Sequence, residues 1–181
     1  MKMVELSMVL DILTTVSIII GVFYYIMTLQ NSNKTQQLTL KAQEHATETR
    51  QAQLFMYLYE TWSSPEFSKH WYIIRSWEWT DYDDFMEKYG DKKNPDLYIS
   101  FSTVSKFFEG LGVLVKRGLV DPTMVDDLMS GFIIILWEDF GETFIKEMRV
   151  RQGFPQAYEW GEYLYNVIKP IADQQHPEFD S

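Results

Sequence analysis

The feature that most constrains this chain is an uncharged stretch of 18 residues near its start, Ile12 to Leu29. As an α-helix it would be about 27 Å long, close to the hydrocarbon thickness of a bilayer. Apolar side chains surround this helix on every side, which suits lipid better than the boundary between a protein core and water. We therefore expect a membrane-spanning helix, with residues 1–30 as the membrane segment.

Two other interpretations of this stretch are a cleaved signal peptide and a buried helix of a soluble domain. A signal peptide has a basic leader, an apolar region of about 7–15 residues and a small-residue cleavage site. Here the leader carries one lysine against two acids, the apolar run is longer, and no Ala-x-Ala pattern follows it. We expect an uncleaved anchor that contacts the lipid bilayer through residues 12–29.

The charges on either side of the stretch predict its depth and orientation. We expect Asp11 in the headgroup region near the helix N-terminus, where the helix dipole favours a negative charge. A span that began at Val4 would instead place this carboxylate inside the bilayer and make it a functional candidate. Lys34 and Lys41 follow the span, whereas Lys2 precedes it. By the positive-inside rule, this bias predicts a single-pass protein of the cell membrane with its C-terminal domain in the cytoplasm.

Charge and composition restrict what the rest of the chain can do. The net charge is −10, which disfavours binding to nucleic acid and attraction to an anionic lipid surface. The chain has no cysteine, which excludes disulfides, thiolate zinc sites and cysteine nucleophiles. Aromatic residues make up 16% of the chain, enough for a hydrophobic core, so we expect a folded domain after the anchor.

A polar segment, residues 31–53, links the anchor to this domain and contains neither proline nor glycine. We expect it to be a helix. From Leu38 to Tyr59, a series that includes His45 and Thr49 follows alternating spacings of four and three, which is heptad spacing. Few of these are strong core residues, so a solvated stalk and a self-associating coiled coil are both open. From Leu54 onward the pattern turns apolar, and there we expect the helix to join the core.

Helix starts and stops alternate through residues 54–169. The starts combine an N-cap residue with proline at Ser64-Pro65, Asn94-Pro95 and Asp121-Pro122, and glycines end several helices. The strongest amphipathic pattern runs from Leu97 to Val115. The apolar run from Phe132 to Trp137 fits a buried helix or a strand, and the lack of a partner strand favours the helix.

The expected fold is therefore all-α. A transmembrane helix is extended by the polar stalk helix into a compact orthogonal bundle of about seven helices. We expect residues 170–181 to form a polar tail that is not part of this bundle.

Several segments of the chain together resemble a known family. These are LYETWSSPEF (58–67), WTDYDDFMEKYG (79–90), FFEGLGVLVKRGLVD (107–121), LWEDF (136–140) and MRVRQGFPQAYEWGEYL (148–164). They resemble an uncharacterised family of prokaryotic single-span membrane proteins with a helical domain of unknown function, DUF4760. The resemblance implies the same architecture, and it implies no activity because the family has none assigned.

The three histidines do not have the spacing of a metal site. His45, His70 and His176 each lack a second histidine three or four residues away, and no Glu-x-x-His motif occurs. We expect surface histidines, with His70 next to Trp71 as the only candidate for a catalytic role. The sequence predicts no catalytic residues, no metal site and no cofactor.

Four side chains are candidates for a ligand-binding site: Trp77, Glu109, Glu138 and Arg149. Trp77 lies in a Trp-rich segment, Glu109 flanks the apolar stripe of an amphipathic helix, and Glu138 follows the buried run. Aromatic residues at helical spacing are more often core residues, and Glu138 and Arg149 also fit an ion-pair network between two helices. A buried glutamate whose pKa is shifted would be a functional candidate.

Two functions from different classes fit these observations. The first is a non-catalytic, scaffold-like interaction or accessory protein that binds a protein partner or a second copy of itself. It is favoured because Gly-rich phosphate loops, Gly-x-Ser-x-Gly and Walker motifs are absent from the sequence. The second is a membrane-surface enzyme or sensor, with a small-ligand pocket in the bundle. An ion pathway through assembled spans is a third hypothesis, and it would need Thr14, Thr15 and Ser17 to face a pore.

Overall fold

The first helix, α1 (Lys2–Trp62), includes the uncharged stretch, the polar segment and the first aromatic residues of the domain. The structure is a computed structural model, and it describes residues 2–175 of the chain. The chain divides into two compact units between Thr49 and Arg50, whereas the sequence analysis placed the domain boundary between residues 53 and 54. His176 and the end of the predicted tail, residues 176–181, lie outside the described residues.

In the first unit, every side chain from Leu10 to Thr49 is exposed. The large apolar side chains between residues 12 and 29 have 44% to 74% of their surface exposed. By length and composition this helix can cross a membrane, and none of its most apolar window is buried.

The hydroxyl groups of this helix have partners within it. Thr14, Thr15 and Ser17 donate to the carbonyl oxygens of Leu10, Asp11 and Leu13, each four residues earlier, at 2.8–2.9 Å. Such bonds satisfy the hydroxyls inside one helix, without a pore or a neighbouring span.

The described part of the second unit, residues 50–175, contains the end of α1 and six further helices. They are α2 (Pro65–Arg75), α3 (Tyr82–Tyr89), α4 (Pro95–Lys116), α5 (Pro122–Phe140), α6 (Lys146–Gln152) and α7 (Glu159–Gln175). The described residues contain no strand, so the predicted all-α bundle is confirmed, and the run from Phe132 to Trp137 is helical. At the centre α7 packs against both α4 and α5, while α2 packs against α4.

Side-chain caps explain where three of these helices begin. Ser64, Asp81 and Asp121 each accept a hydrogen bond from a backbone N–H in the first turn of α2, α3 and α5. Proline occupies the first turn of α2, α4 and α5. Backbone N–H groups in the first turn form no hydrogen bond within the helix, so the lack of an N–H in proline costs nothing there. The start of α4 has no side-chain cap bond, so there proline acts alone.

An aromatic cluster centred on Phe85 of α3 joins the elements of the core. Phe85 is completely buried. Its ring centroid lies 3.9 Å from that of Phe144, 5.9 Å from Phe101 and 6.3 Å from Phe140. These rings come from α4, α5 and the turn after α5, so the short α3 is held by ring packing. Removal of such a ring typically costs about 3–5 kcal/mol.

A π-helical turn, Gly141–Ile145, connects α5 to α6. A Cβ atom on Gly141 would lie only 2.6–2.8 Å from the indole ring of Trp137, so only glycine leaves room for this ring. The wider turn takes up one extra residue, which rotates the following side chains by about 100° relative to α5. That rotation is how Phe144 and Ile145 come to be buried.

The end of α7 differs from the predicted polar tail. The sequence placed the start of this tail at residue 170, whereas α7 continues through Pro170 to Gln175. Proline removes the hydrogen bond to the carbonyl of Asn166, but both residues are exposed, so water can replace that bond. Ala172 is buried and keeps this last part of the helix on the bundle.

The packing of α4 on α7 makes Gly112→Ala a sharp test of the fold. A Cβ atom on Gly112 would overlap the carbonyl oxygen of Trp160 in the α7 backbone, so one helix would have to shift. We predict that this substitution lowers the free energy of unfolding by about 1–3 kcal/mol. The six tryptophans lie between residues 62 and 160, so denaturant unfolding followed by tryptophan fluorescence reports on this unit.

Gly110, in the same helix, is the matched control. A Cβ atom there has nothing within 4 Å, so Gly110→Ala should stabilise α4 by up to about 1 kcal/mol. Equal effects of the two substitutions would contradict the close approach of α4 and α7.

Candidate functional site

The four predicted ligand-binding residues lie in two places within the second unit. Trp77 and Glu138 line a surface groove. Glu109 and Arg149 lie around the start of α7, where both form hydrogen bonds to it. The structure thus brings the four side chains together as two pairs, which have different surroundings.

The groove, which we call the acidic groove, has a volume of about 460 Å³. It lies between the segment that connects α2 to α3 and the end of α5. Its charged lining residues are one cation, Arg75, and three acids, Glu78, Glu138 and Asp139. The lining therefore has a net charge of −2. This volume is within the range of about 300–1,000 Å³ that is typical of small-ligand sites.

Two tryptophans, Trp77 and Trp79, form the aromatic part of the lining. Trp77 stacks on Tyr89 of α3, with ring centroids 4.2 Å apart and planes that differ by 4°. Trp79 packs on Phe140 at the end of α5, with centroids 4.7 Å apart. Both rings are therefore held from behind by helices, although the segment that carries them is not helical.

The same segment is fixed by polar contacts to α3. The hydroxyl of Tyr89 accepts a hydrogen bond from the backbone N–H of Glu78 at 3.2 Å. Lys88 donates from Nζ to the carbonyl oxygen of Glu78 at 3.2 Å and also pairs with Asp84. This wall of the acidic groove is thus preorganised, because its backbone and its rings already have partners in the absence of a ligand.

An ion pair between Arg75 of α2 and Asp139 of α5 crosses the acidic groove. It neutralises one of the three acids. Among the described residues no cation lies within ion-pair distance of Glu78 or Glu138, although Lys88 attracts the Glu78 carboxylate. Glu138 accepts only a long 3.4 Å hydrogen bond from the hydroxyl of Tyr165. Burial, and then the nearby Glu138 carboxylate, raise the pKa of Tyr165, so this hydroxyl keeps its proton.

Glu109 of α4 caps the start of α7. Its Oε2 accepts a hydrogen bond from the backbone N–H of Gly161 at 2.7 Å. This N–H belongs to the first turn of α7, where backbone donors have no helical partner and the helix dipole favours a negative charge. Burial raises the pKa of the Glu109 carboxyl, while the hydrogen bonds from the backbone of Gly161 and Trp160 act in the opposite direction.

Arg149 of α6 holds the same helix start from another side. Its Nε donates to the carbonyl oxygen of Ala157 at 2.7 Å, and its Nη1 donates to Glu162 at 2.5 Å. The arginine side chain is only 14% exposed. Between these contacts lies Tyr158, which has φ at 55°, a conformation that is uncommon for a residue other than glycine. Glu109 and Arg149 therefore form a clamp on the start of α7, and we call these two residues the α7 clamp.

Next to the α7 clamp is a void of about 20 Å³, lined by Ser105, Trp137, Tyr158 and others. It can hold about one water molecule and no larger ligand. The hydroxyl of Ser105 is buried and has no hydrogen-bond partner among the described residues, so a water molecule here would satisfy it. This void therefore holds no ligand larger than water next to the α7 clamp, where Nη2 of Arg149 is also buried without a hydrogen-bond partner among the described residues.

The described histidines have structural partners. Nδ1 of His70 lies 3.0 Å from the hydroxyl of Ser100, a contact that joins α2 to α4. His45 pairs with Glu48 at 3.3 Å on the exposed part of α1. Across the described residues, no group of three or more His, Asp and Glu side chains could hold a metal ion.

The predicted set of ligand-binding residues did not include three charged residues of the acidic groove, Arg75, Glu78 and Asp139. Two of them flank the predicted Trp77 in the run Arg75-Ser76-Trp77-Glu78-Trp79, so the alternation of charged and aromatic residues was a usable signal. Asp139 comes next to Glu138 in sequence. Its pairing with Arg75 spans 64 positions and depends on how α2 and α5 pack, which no local pattern encodes.

Comparison with known proteins adds one match. Residues 14–167 match the model of a family described as Domain of unknown function (DUF4760). The match includes most of the apolar stretch, the polar segment and nearly all of the helical domain. No curated protein and no solved structure matches the chain significantly.

The raised pKa of Glu109 predicts how stability depends on pH. The folded chain holds the Glu109 proton more tightly than the unfolded chain, whose carboxyl titrates near 4.5. The contribution of this group is therefore fully present below that pH and is lost as the pH rises through the folded value. Glutamine keeps an oxygen for the N–H of Gly161 but does not titrate. We predict that Glu109→Gln gains stability relative to the wild type as the pH rises above 4.5 and through the raised pKa of the folded chain.

Denaturant unfolding at several pH values, followed by tryptophan fluorescence, measures this difference. A stability difference that stays constant across this pH range would show that the pKa of Glu109 is not raised. Glu109→Ala is the control, because it removes the acceptor as well as the charge. We expect it to be less stable than Glu109→Gln by about 1 kcal/mol, the typical contribution of a helix cap.

Proposed function

This chain belongs to the DUF4760 family, as its sequence predicted, and we propose that it is a membrane-anchored, non-catalytic interaction protein. Residues 12–29 cross the cell membrane once, and the helical domain lies in the cytoplasm. There the domain binds a protein partner or a second copy of the chain through an exposed surface. The family match assigns no activity, so the proposal depends on the chain's own features.

The exposed apolar surface of α1 supports the anchor. The helix surface between Ile12 and Leu29 is uncharged and continuously exposed, and soluble monomers rarely expose apolar patches larger than a few hundred Å². Lipid is a solvent that stabilises such a helix, because all its backbone groups are paired internally. Since the net charge of −10 opposes attraction to anionic lipid, only an inserted helix would keep the domain at the membrane.

The acidic groove is the observation that carries the interaction role. It has a wall fixed by α3, two carboxylates that form no ion pair with any described residue, and an opening on the surface of the domain. The alternative of an enzyme or sensor needs the four candidate side chains around one ligand. Glu109 and Arg149 instead hold the start of α7, so the geometry favours interaction through the groove over catalysis in the bundle.

Charges introduced into α1 test the anchor. Lysine near the centre of a span costs about 2.5–3.5 kcal/mol, so we predict that Ile19→Lys with Ile20→Lys releases the chain from membranes. The measurement is the fraction of full-length chain that stays in the membrane pellet after alkaline extraction. The wild type should remain in the pellet.

The matched control introduces the same two charges into the polar segment. Leu38 and Leu40 are 60% and 59% exposed, similar to the residues of the span, but lie outside it. Leu38→Lys with Leu40→Lys should leave the chain in the pellet. Release by both pairs would contradict anchoring by residues 12–29.

Because the chain lacks cysteine, a single Lys92→Cys substitution reports the orientation of the domain. A membrane-impermeant maleimide should label this cysteine in cells only after the membrane is opened.

The interaction role predicts that the chain is not alone in the membrane. We expect in-membrane crosslinking followed by mild solubilisation to give a particle of fixed composition that exceeds the 21.5 kDa monomer. Mass measurement of the purified particle would identify a second copy or a stoichiometric partner. A monomer with no crosslinked product from native membranes would contradict the proposal.

A further inference from the structure

The acidic groove has a charge that suits only one kind of ligand. Asp139 is paired with Arg75 across the groove, which leaves Glu78 and Glu138 as its carboxylates outside an ion pair. Both are exposed, and the contacts that they would give up to a cation are weak: the long hydrogen bond from Tyr165 to Glu138 and the attraction of Lys88 for Glu78. Carboxylates in a concave surface raise the local concentration of cations and repel anions. Phosphates, nucleotides and acidic peptides are therefore disfavoured as ligands.

The aromatic lining narrows this class to organic cations. Trp79 is half-buried beside the carboxylates, whereas Trp77 is only 9% exposed and is stacked on Tyr89. Guanidinium or ammonium groups bind favourably over an accessible tryptophan ring, so Trp79 is the ring that can contact a cation, and Trp77 is a fixed part of the wall. A hydrated metal ion would gain little from the Trp79 ring, whereas the stem of a lysine or arginine side chain would pack against it.

The π-helical turn forms the opposite edge of the acidic groove. Thr143, in the middle of this turn, lines the groove, and Glu138 and Asp139 come immediately before the turn. π-helical turns are rare and occur frequently at functional sites, because they re-aim the side chains next to them. Here the turn allows Phe144 to face the core while Glu138, at the end of α5, stays at the surface.

We propose that the acidic groove binds a lysine or arginine side chain from the basic juxtamembrane segment of another membrane protein. This inference rests on the proposed interaction role and on the cytoplasmic location of the domain. Cytoplasmic segments next to membrane spans carry an excess of lysine and arginine. A tethered acidic domain shares the membrane surface with such segments, so charge complementarity matches the groove to them.

The test uses the full-length chain in vesicles of uncharged lipid and a short synthetic peptide of arginine and glycine. Calorimetry measures binding, and tryptophan fluorescence reports contact with Trp79. Because each exposed ion pair contributes little, Glu78→Gln and Glu138→Gln should each weaken binding about threefold, and together about tenfold. Binding should also weaken as salt is added, because these charges are exposed.

The control variant carries Glu44→Gln and Glu60→Gln, two exposed glutamates of α1 that do not line the acidic groove. It has the same net charge as the double groove variant, so non-specific attraction is equal in both. An equal loss of affinity in the two double variants would overturn the groove as the binding site. So would unchanged binding in the groove variant, provided that its unfolding midpoint equals that of the wild type.

Two further control ligands test whether the groove binds a cationic peptide or a free small molecule. A peptide with glutamine in place of arginine should not bind. If free arginine amide binds as tightly as the peptide, the groove is a small-molecule site. That result would overturn the proposal that its ligand is a juxtamembrane segment. The crosslinked complex separates this inference from the proposed function: if the complex forms equally well with the double groove variant, the interaction role stands and the groove inference fails.

Discussion

The contact on which the domain most depends is the close packing of α7 against α4. Gly112 lets the backbone of α7 approach α4 so closely that no Cβ atom fits between them. At this distance the side of the first turn of α7 that faces α4 is covered, so the backbone donors on that side need protein partners. Glu109 supplies an acceptor, and Arg149 holds the chain just before the helix. Two charged residues that the sequence suggested as ligand-binding residues are thus consequences of one tight helix contact.

The helices were largely predictable from the sequence because their signals are local. N-cap residues, prolines in the first turn and the apolar stripe of α4 act within a few residues of where they occur. The π-helical turn and the continuation of α7 past Pro170 were not predictable in this way. The first depends on the indole of Trp137 lying across Gly141, and the second on the burial of Ala172. Both are tertiary contacts that override local propensity.

The candidate site also combines features that local sequence signals predicted with features that depend on tertiary contacts. Residue type and local pattern pointed to Trp77 and Glu138, which do line the acidic groove. They also pointed to Glu109, which has a raised pKa but a capping role. Perturbed pKa values arise at structural caps as well as at active sites, because burial alone produces them. What the sequence could not supply is the pairing of Arg75 with Asp139, and this pairing decides which carboxylates of the groove remain free.

The anchor and the acidic charge have consequences that reinforce one another under the proposed function. A domain with this net charge is repelled by anionic lipid and would leave the membrane if it depended on its surface. An inserted helix removes that requirement, so the surface need not carry a basic patch for lipid. The carboxylates at the groove can then recognise cations of proteins rather than compete with lipid headgroups. A basic domain on the same anchor would be attracted to anionic lipid headgroups, which would compete with a basic protein segment for its surface.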